Sequence, residues 1–428
     1  MRVGIVGAGA TGLTAGFELV KDGHEVTLLE AEPELGGLAA SISVGGTPLE
    51  RYYHHVFAGD TAMISLIEEL GLGPRLRFHS PTTGIFYDGR LHDFTSPLQM
   101  LRFTPIPLLD RLRFGMSSAL LKLIRDGERL GDRRAIEWTR RWAGRRASEV
   151  IWEPLLAGKF GDRADEVSMA WLWARVNCRT FKLGYVDGGF DQVYTRLAER
   201  ISAAGGKIEL GARVDGIRQA DPAGPVEVTT REGTRYSFDR VLATVPQSTF
   251  AKAIGAEPDD PLWAAGYLGA TCFILELDRS VIPYYWLNVN DPDFPFLAVV
   301  EHTRMIPPSE YGGRHILYVG NYVPRDDWRY TTAPERLLER FAPYLRRLNP
   351  DFELSWVRRW HYSRAPFAQP IVTPGYRDRI PAHRTPLPGV VLATMSQIYP
   401  QDRGQNYAVQ MARDVVHRYF RRSGGRPD

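Results

Sequence analysis

Three features of the 428-residue chain predict an α/β fold built on a parallel sheet. A buried strand reads from Val3 to Val6, the turn Gly7-Ala8-Gly9-Ala10-Thr11-Gly12 follows at once, and Leu13, Ala15, Phe17, Leu19 and Val20 continue as an apolar helical pattern. Each glycine has its own task in such a unit. Gly7 permits the tight turn, Gly9 lets a pyrophosphate approach the main chain, and Gly12 lets the helix lie close to the sheet. Ala10 and Thr11 complete a turn whose free N–H groups sit at the positive end of a helix dipole and stabilise phosphate without a lysine. Gly23 then supplies a turn and Glu25 to Leu29 a second strand. Glu30 follows, where a carboxylate binds ribose hydroxyls and repels a 2′-phosphate. Strand, helix, strand and acid in series predict a site for an adenine dinucleotide.

Composition bounds the rest. The length predicts two to three domains at about 150 residues each, and a hydrophobic share of 44% fills a large core. Lys+Arg 53 against Asp+Glu 50 leaves +3, too little asymmetry to predict a nucleic-acid partner. The basic residues are six Lys and 47 Arg, which reads as a base-composition bias. Two cysteines, Cys178 and Cys272, build neither a disulfide framework nor a thiolate metal cage; they predict a reducing cytoplasm and read as small buried hydrophobes. No apolar run reaches the roughly 18 residues that span a bilayer. The start, with no basic n-region or A-x-A site, reads as folded chain rather than a signal peptide. H-E-x-x-H, C-x-x-C and G-x-S-x-G spacings do not occur, and the adjacent His54 and His55 point apart in an extended segment, so neither a metal site nor a serine nucleophile is predicted.

Glu30 is followed by Ala31-Glu32-Pro33-Glu34-Leu35 and then Gly36-Gly37. That extension resembles the opening of the flavoprotein superfamily that contains amine oxidases, protoporphyrinogen oxidases, phytoene desaturases and UDP-galactopyranose mutases. The resemblance implies FAD as cofactor and a Rossmann-type FAD-binding domain, glutathione-reductase-like, with a second α+β substrate domain formed by insertions. Gly36 and Gly37 would let the loop pass close to flavin and pyrophosphate, whereas Leu38 stands where an arginine often follows the pair, removing one phosphate contact.

Two later stretches carry the same resemblance. Gly188-Gly189-Phe190-Asp191-Gln192-Val193 leads into an amphipathic helix (Tyr194, Leu197, Ala198, Ile201), then Gly205-Gly206 and a strand from Lys207 to Leu210. Val214 matches the residue whose backbone meets the adenine, and Val226 and Val228 against Tyr236 and Phe238 predict a small hairpin. Near the C-terminus Val390-Val391-Leu392-Ala393 reads as a buried strand, followed by Thr394-Met395 where many relatives carry Gly-Asp. A helix then runs from Gln405, its positive end implied to face the flavin pyrimidine, with Gly404, Asn406 and Tyr407 at that end. The basic tail, residues 421–428, reads as frayed. The implied FAD domain is discontinuous, 1–80, 185–250 and 385–428, and the substrate domain comprises 81–184 and 251–384.

On the substrate side, His55 in Tyr52-Tyr53-His54-His55-Val56-Phe57 matches a histidine that the mutases carry near the flavin, and Tyr399 and Arg403 fall on the loop implied to face it. His55 is a candidate hydrogen-bond partner of the flavin or an acid/base, and a loop histidine bonded to backbone is the plain alternative. Arg403 is a candidate anion ligand or a helix-start surface charge. Trp360-His361-Tyr362-Ser363-Arg364-Ala365-Pro366-Phe367 looks more like protoporphyrinogen oxidases and desaturases, and the lysine that amine oxidases place at the flavin from the second insertion has no counterpart after Lys252. Aromatics Tyr284, Tyr285, Trp286, Phe294 and Phe296 read as pocket lining or as strand core. Phe94 to Arg125 alternates leucines with Arg111, Arg113, Lys122 and Arg125, and reads as a packed substrate-domain helix or as a peripheral membrane contact. The resulting expectation is an FAD-dependent oxidoreductase that dehydrogenates a small organic substrate by hydride transfer to flavin N5. The competing one is a redox-neutral, mutase-like enzyme acting on a nucleotide sugar or related glycoside through reduced FAD.

Overall fold

The computed structural model describes residues 1–257, 260, 263 and 266–421, so nearly all of the basic tail lies outside the described residues. Its first layer is a five-stranded, wholly parallel sheet in the order Lys207–Glu209, Glu25–Leu29, Arg2–Val6, Arg240–Ala243, Val390–Leu392. These strands are almost continuously apolar because both faces are covered. Val3, Ile5 and Leu28 face a core shared with the helices Ala10–Lys21, Asp191–Ala203 and Gln405–Tyr419. Val6, Leu29, Val241 and Ala243 face the other way, onto a three-stranded antiparallel sheet made by Val214–Arg218, Val226–Thr230 and Arg235–Phe238. Val226 pairs with Phe238 and Val228 with Tyr236, the register the alternation predicts. Gly4 has no room for a side chain, because a Cβ there would stand 2.4 Å from the Phe238 ring.

A second layer is a mixed seven-stranded sheet in the order Val357–Pro370, Tyr267–Leu277, His315–Val323, Ala298–Glu301, Trp286–Val289, Thr83–Tyr87, Arg90–Asp93. It joins two distant stretches of chain, since Thr83–Tyr87 pairs in parallel with Trp286–Val289. The amphipathic helix Pro334–Leu348 buries Leu337, Leu338, Phe341 and Leu345 against one face. A helical cluster between residues 97 and 177 packs at one end and includes Leu108–Leu123, Glu153–Phe160 and Met169–Asn177. The aromatics Tyr285 and Phe296 are buried, Phe294 stands edge-on to Phe86 and Phe296, and Trp286 stands edge-on to Tyr53. Of the two readings, core filling describes Tyr285 and Phe296; only Trp286 of the five belongs to a strand, and none lines the cavity described below.

Candidate active site

The glycine turn has the geometry of an open cradle. A Cβ on Gly12 would lie 1.9 Å from the Gly7 carbonyl oxygen, so that position admits glycine alone, and Gly7 holds a left-handed φ of 104°. Gly9 differs: its φ of −80° and ψ of −172° suit any residue, and a Cβ would come no nearer than 3.9 Å to its neighbours, Gly36 O and Gly37 Cα. Space beside Gly9 is thus kept free by choice of residue, not by backbone need. Gly36 and Gly37, both left-handed at φ 99° and 58°, close the far wall; Gly36 N–H donates to Ala8 O at 3.0 Å and bridges Gly9. Buried Glu30 accepts from Ala8 N–H at 2.6 Å and from Glu32 N–H at 2.9 Å, which fixes the carboxylate at the edge of the turn. Val214 starts its strand beside the same corner, where Arg213 pairs with Glu32 at 3.4 Å and Gly211 N–H donates to Glu32 O at 3.1 Å.

A cleft opens where loops at residues 38, 52–54 and 403 face the seven-stranded sheet. A cavity of about 50 Å³ is lined by Leu38, Tyr52, His54 and Arg403 on one side and by Thr271, Cys272, Asn321 and Tyr322 on the other. Arg403 Nη2 donates to the Tyr322 hydroxyl at 2.6 Å, while its buried Nε has no partner. Lys159 sits 4.1 Å from the Tyr322 ring centroid and is 5% exposed. Asp402 accepts from Arg175 Nη1 at 3.2 Å, Trp171 Nε1 at 3.0 Å and its neighbour's Arg403 N–H at 3.0 Å. Burial pulls the Asp402 carboxyl up, but Arg175, Lys159 and Arg403 outweigh it and hold the group below the usual range. His54 Nδ1 lies 2.6 Å from Tyr52 O, and His55 Nδ1 is buried without a partner. Burial, reinforced by Arg403 for His54 and by Arg179 for His55, pushes their pKa values down to about 4 and about 3, so both are neutral.

A model of the family of flavin-containing amine oxidoreductases matches residues 10–401. The chain belongs to this family. A Mycobacterium tuberculosis protein assigned as the flavin-containing monoamine oxidase AofH is 26% identical over 271 residues, 60% of this chain and 59% of that protein. The flavin-dependent L-tryptophan oxidase RebO of Lentzea aerocolonigenes is 27% identical over 290 residues, 58% of each. The chain thus spans about 58–59% of the length of these curated relatives. An Exiguobacterium crystal structure assigned as a protoporphyrinogen oxidase shares the fold with a TM-score of 0.76 at 21% identity, covering 97% of this chain and 98% of that one.

The residues present fit the cofactor of a flavin-containing amine oxidoreductase. The free volume at Gly9, the unpaired N–H groups of a helix start and an acid fixed at the end of the second strand suit the pyrophosphate and ribose of FAD. Leu38 does not face the turn; it packs with Tyr52, Tyr322, Ala270, Ala365 and Ala368 in the cleft. Gly404 begins the helix Gln405–Tyr419 with open space at its α-carbon. Asn406 uses its side-chain oxygen to accept from Met63 N–H at 3.1 Å, and Tyr407 has the charges of Asp60 and Asp402 as neighbours, which with burial raise its pKa. Arg175 is a charged neighbour of His55 and, with Arg403, of Asp402, but Tyr399 lies apart. Tyr399 packs on Tyr376 at 5.8 Å, and its hydroxyl blocks the space a Cβ on Gly131 would need. Sequence reading missed Lys159, Arg175 and Asp402. The first two come from the helical cluster of the first insertion, and nothing in their local pattern signals Tyr322, which Lys159 meets, or Asp402, which Arg175 meets. Among the described residues no group of His, Cys, Asp and Glu gathers to hold a metal.

Proposed function

We propose that the chain is an FAD-dependent oxidoreductase that dehydrogenates an organic substrate held in the cleft beside the seven-stranded sheet. The observation that carries this reading is the open cradle at Gly9 with Glu30 fixed beside it. Bound FAD supplies a two-electron acceptor able to take a hydride equivalent at N5. Amides of the Gly7–Gly12 turn hold its pyrophosphate, Glu30 its ribose, and Val214 its adenine edge. The helix start at Gly404, with Asn406 and Tyr407, presents a positive dipole end to the flavin ring. His55 remains neutral at working pH, so its part is to orient a polar atom through its unpaired Nδ1 rather than to carry charge. Tyr399, packed at a tilt against Tyr376, positions the loop that ends in Arg403. The purified protein should carry the absorption of oxidised flavin, and a substrate mixed without oxygen should bleach it. Activity that appears only after prior reduction of the flavin, with no bleaching, would instead support the mutase-like reading.

The same reading includes a peripheral membrane contact. No helix among the described residues is long and apolar enough to cross a membrane. On helix Leu108–Leu123, however, Leu108, Leu109, Leu112, Met116, Leu120 and Leu123 are 40–78% exposed and fall at helical spacing along one stripe. The packed-helix expectation holds only for Phe114, Ser117 and Leu121, the buried side. Arg111, Arg113, Lys122 and Arg125 border the stripe, and Asp110 is the carboxylate beside them, 3.5 Å from Arg113. An apolar stripe edged by cations matches an anionic lipid surface. Binding to phosphatidylglycerol vesicles, weaker to phosphatidylcholine and lost in a Leu109→Glu, Leu123→Glu double variant, is the expected result; equal recovery of the variant with vesicles refutes it.

A further inference from the structure

Residues 51–55 carry three of the groups that line the cavity, Tyr52, Tyr53 and His54, and both ends of that short span are tied to one buried carboxyl. Its first end is Glu50 itself, the last residue of strand Thr47–Glu50 and 1% exposed. Glu50 Oε1 accepts from Phe190 N–H at 2.6 Å and Oε2 from the Tyr185 hydroxyl at 2.8 Å. The other end, Val56–Phe57, pairs with strand Leu183–Val186, which carries Tyr185. A third tie reaches the seven-stranded sheet: the Tyr318 hydroxyl donates to Glu50 O at 2.7 Å, and the Tyr318 ring stands edge-on to Tyr53 at 6.0 Å. Tyr53 is in turn edge-on to Trp286 at 4.9 Å, and a Cβ on Gly320 would lie only 3.2 Å from its ring. The turn behind Glu50 has little slack, since a Cβ on Gly189 would stand 2.7 Å from Pro48 O. One wall of the cavity is thus anchored at Glu50.

The bonds around Glu50 change sense with its proton. A carboxylate accepts from both Phe190 N–H and the Tyr185 hydroxyl, as it does here, whereas a carboxylic acid must donate one bond, and of these two partners only Tyr185 can accept it. Tyr185 must then turn its own hydrogen elsewhere. Burial pushes the Glu50 carboxyl up to about 7 in spite of its two donors, so both forms are populated near neutrality. Among the described residues the groups that face it include no cation. They are Tyr185, Asp191 and Tyr194 of helix Asp191–Ala203, Tyr285, Tyr311 and Tyr318. His302 stands behind Tyr311 at 2.7 Å and is kept neutral by burial, and the adjacent Arg51 turns to Glu34 instead. We propose that Glu50 is a positioning residue of the cleft, whose gain or loss of a proton reverses its bond with Tyr185 and, through the Glu50 main chain and Tyr318, shifts Tyr53 against the cavity. What that shift means for a substrate rests on the reading of this cleft as the substrate side of a flavin oxidoreductase.

The test is the tryptophan emission of the flavin-loaded protein from about pH 5 to about pH 9, because the Trp286 ring reports on Tyr53. The parent should show one step with its midpoint near 7, and Trp286→Phe should lose it. Glu50→Gln, whose amide donates to Tyr185 as the acid form does, should hold the low-pH emission throughout. Tyr318→Phe separates positioning from stability: it should abolish the step yet keep the parent's dependence of melting temperature on pH, since Glu50 still titrates. A Glu50 of purely structural importance would give that melting dependence alone, with flat emission. A parent without a step, a step that survives in Glu50→Gln or Trp286→Phe, or one undiminished in Tyr318→Phe would overturn the proposal. The signal needs neither turnover nor cofactor, so a protein that retains no flavin but shows the step would refute the oxidoreductase reading and leave the role of Glu50 standing.

Discussion

Gly9→Val separates a requirement of the fold from a requirement of the cofactor. At φ −80° and ψ −172° valine adopts the backbone without strain, and the nearest atoms to its Cβ, Gly36 O and Gly37 Cα, are both at 3.9 Å. Loss of a glycine at the helix N-cap costs about 1 kcal/mol, so the apoprotein should fold and melt only slightly early. The added methyl groups occupy the space through which a pyrophosphate reaches the amides. Hydrogen bonds to a charged partner contribute about 1.5–3 kcal/mol each, and losing two of them weakens FAD by a factor on the order of 10² to 10⁴. Gly12→Ala makes the opposite case: its Cβ would sit 1.9 Å from Gly7 O, a contact that backbone alone must relieve, so the apoprotein itself should be strongly destabilised. The assay is flavin absorbance per mole of protein after gel filtration, beside thermal melts of both apoproteins, since bound cofactor would raise the holoprotein melt by mass action. A Gly9→Val protein that stays yellow at full occupancy refutes the placement of the cofactor.

Further predictions concern charge. Burial raises the Glu50 carboxyl to about 7 in spite of hydrogen bonds from Phe190 N–H and the Tyr185 hydroxyl. Its folded pKa lies above the unfolded value, so its contribution is full below about 4.5 and is lost as pH rises through about 7, a span worth roughly 3 kcal/mol. Glu50→Gln should remove that slope, and a parallel pH dependence in parent and variant would refute it. His302, held neutral by burial with its pKa lowered to about 3, acts with the opposite sign: the stability it contributes is present above its ordinary value and lost as pH falls towards 3. His302→Phe should therefore lose less stability than the parent between neutral pH and pH about 4. Asp402→Asn should lower the melting temperature by breaking the partly buried pair with Arg175, at a cost of about 3 kcal/mol; an unchanged melt would mean that the pair carries no net stability.

The parallel sheet was legible because its signals are local. Val3 to Val6, the glycine turn and Glu25 to Leu29 lie within thirty residues, and glycine positions such as Gly12 are dictated by contacts one turn away. The hairpin register of Val226 with Phe238 was legible for the same reason, because period-two alternation fixes the face. The cleft was legible only on the side built from loops next to those signals, His54 and Arg403. Its other side is built by pairings such as Ala270 with Tyr322 and by a helix laid on that strand, and no residue near Lys159 reports on position 322. The aromatic run from Tyr284 to Phe296 left both readings open for a physical reason: a ring that lines a pocket and one that fills a core have the same local pattern, and only the tertiary packing distinguishes them.

The absence of a lysine after Lys252 takes on a different meaning once Lys159 is placed. Counting along the second insertion finds no cation for the cleft, yet the cleft is more cationic than that count implies, because helices Glu153–Phe160 and Met169–Asn177 deliver Lys159 and Arg175 from the first insertion. Charge in this site is thus a property of the helical cluster, and so is the proposed membrane face. Lys122, on the exposed helix, donates to Asn177 O at 3.2 Å and Arg179 O at 2.7 Å, at the end of the helix that carries Arg175.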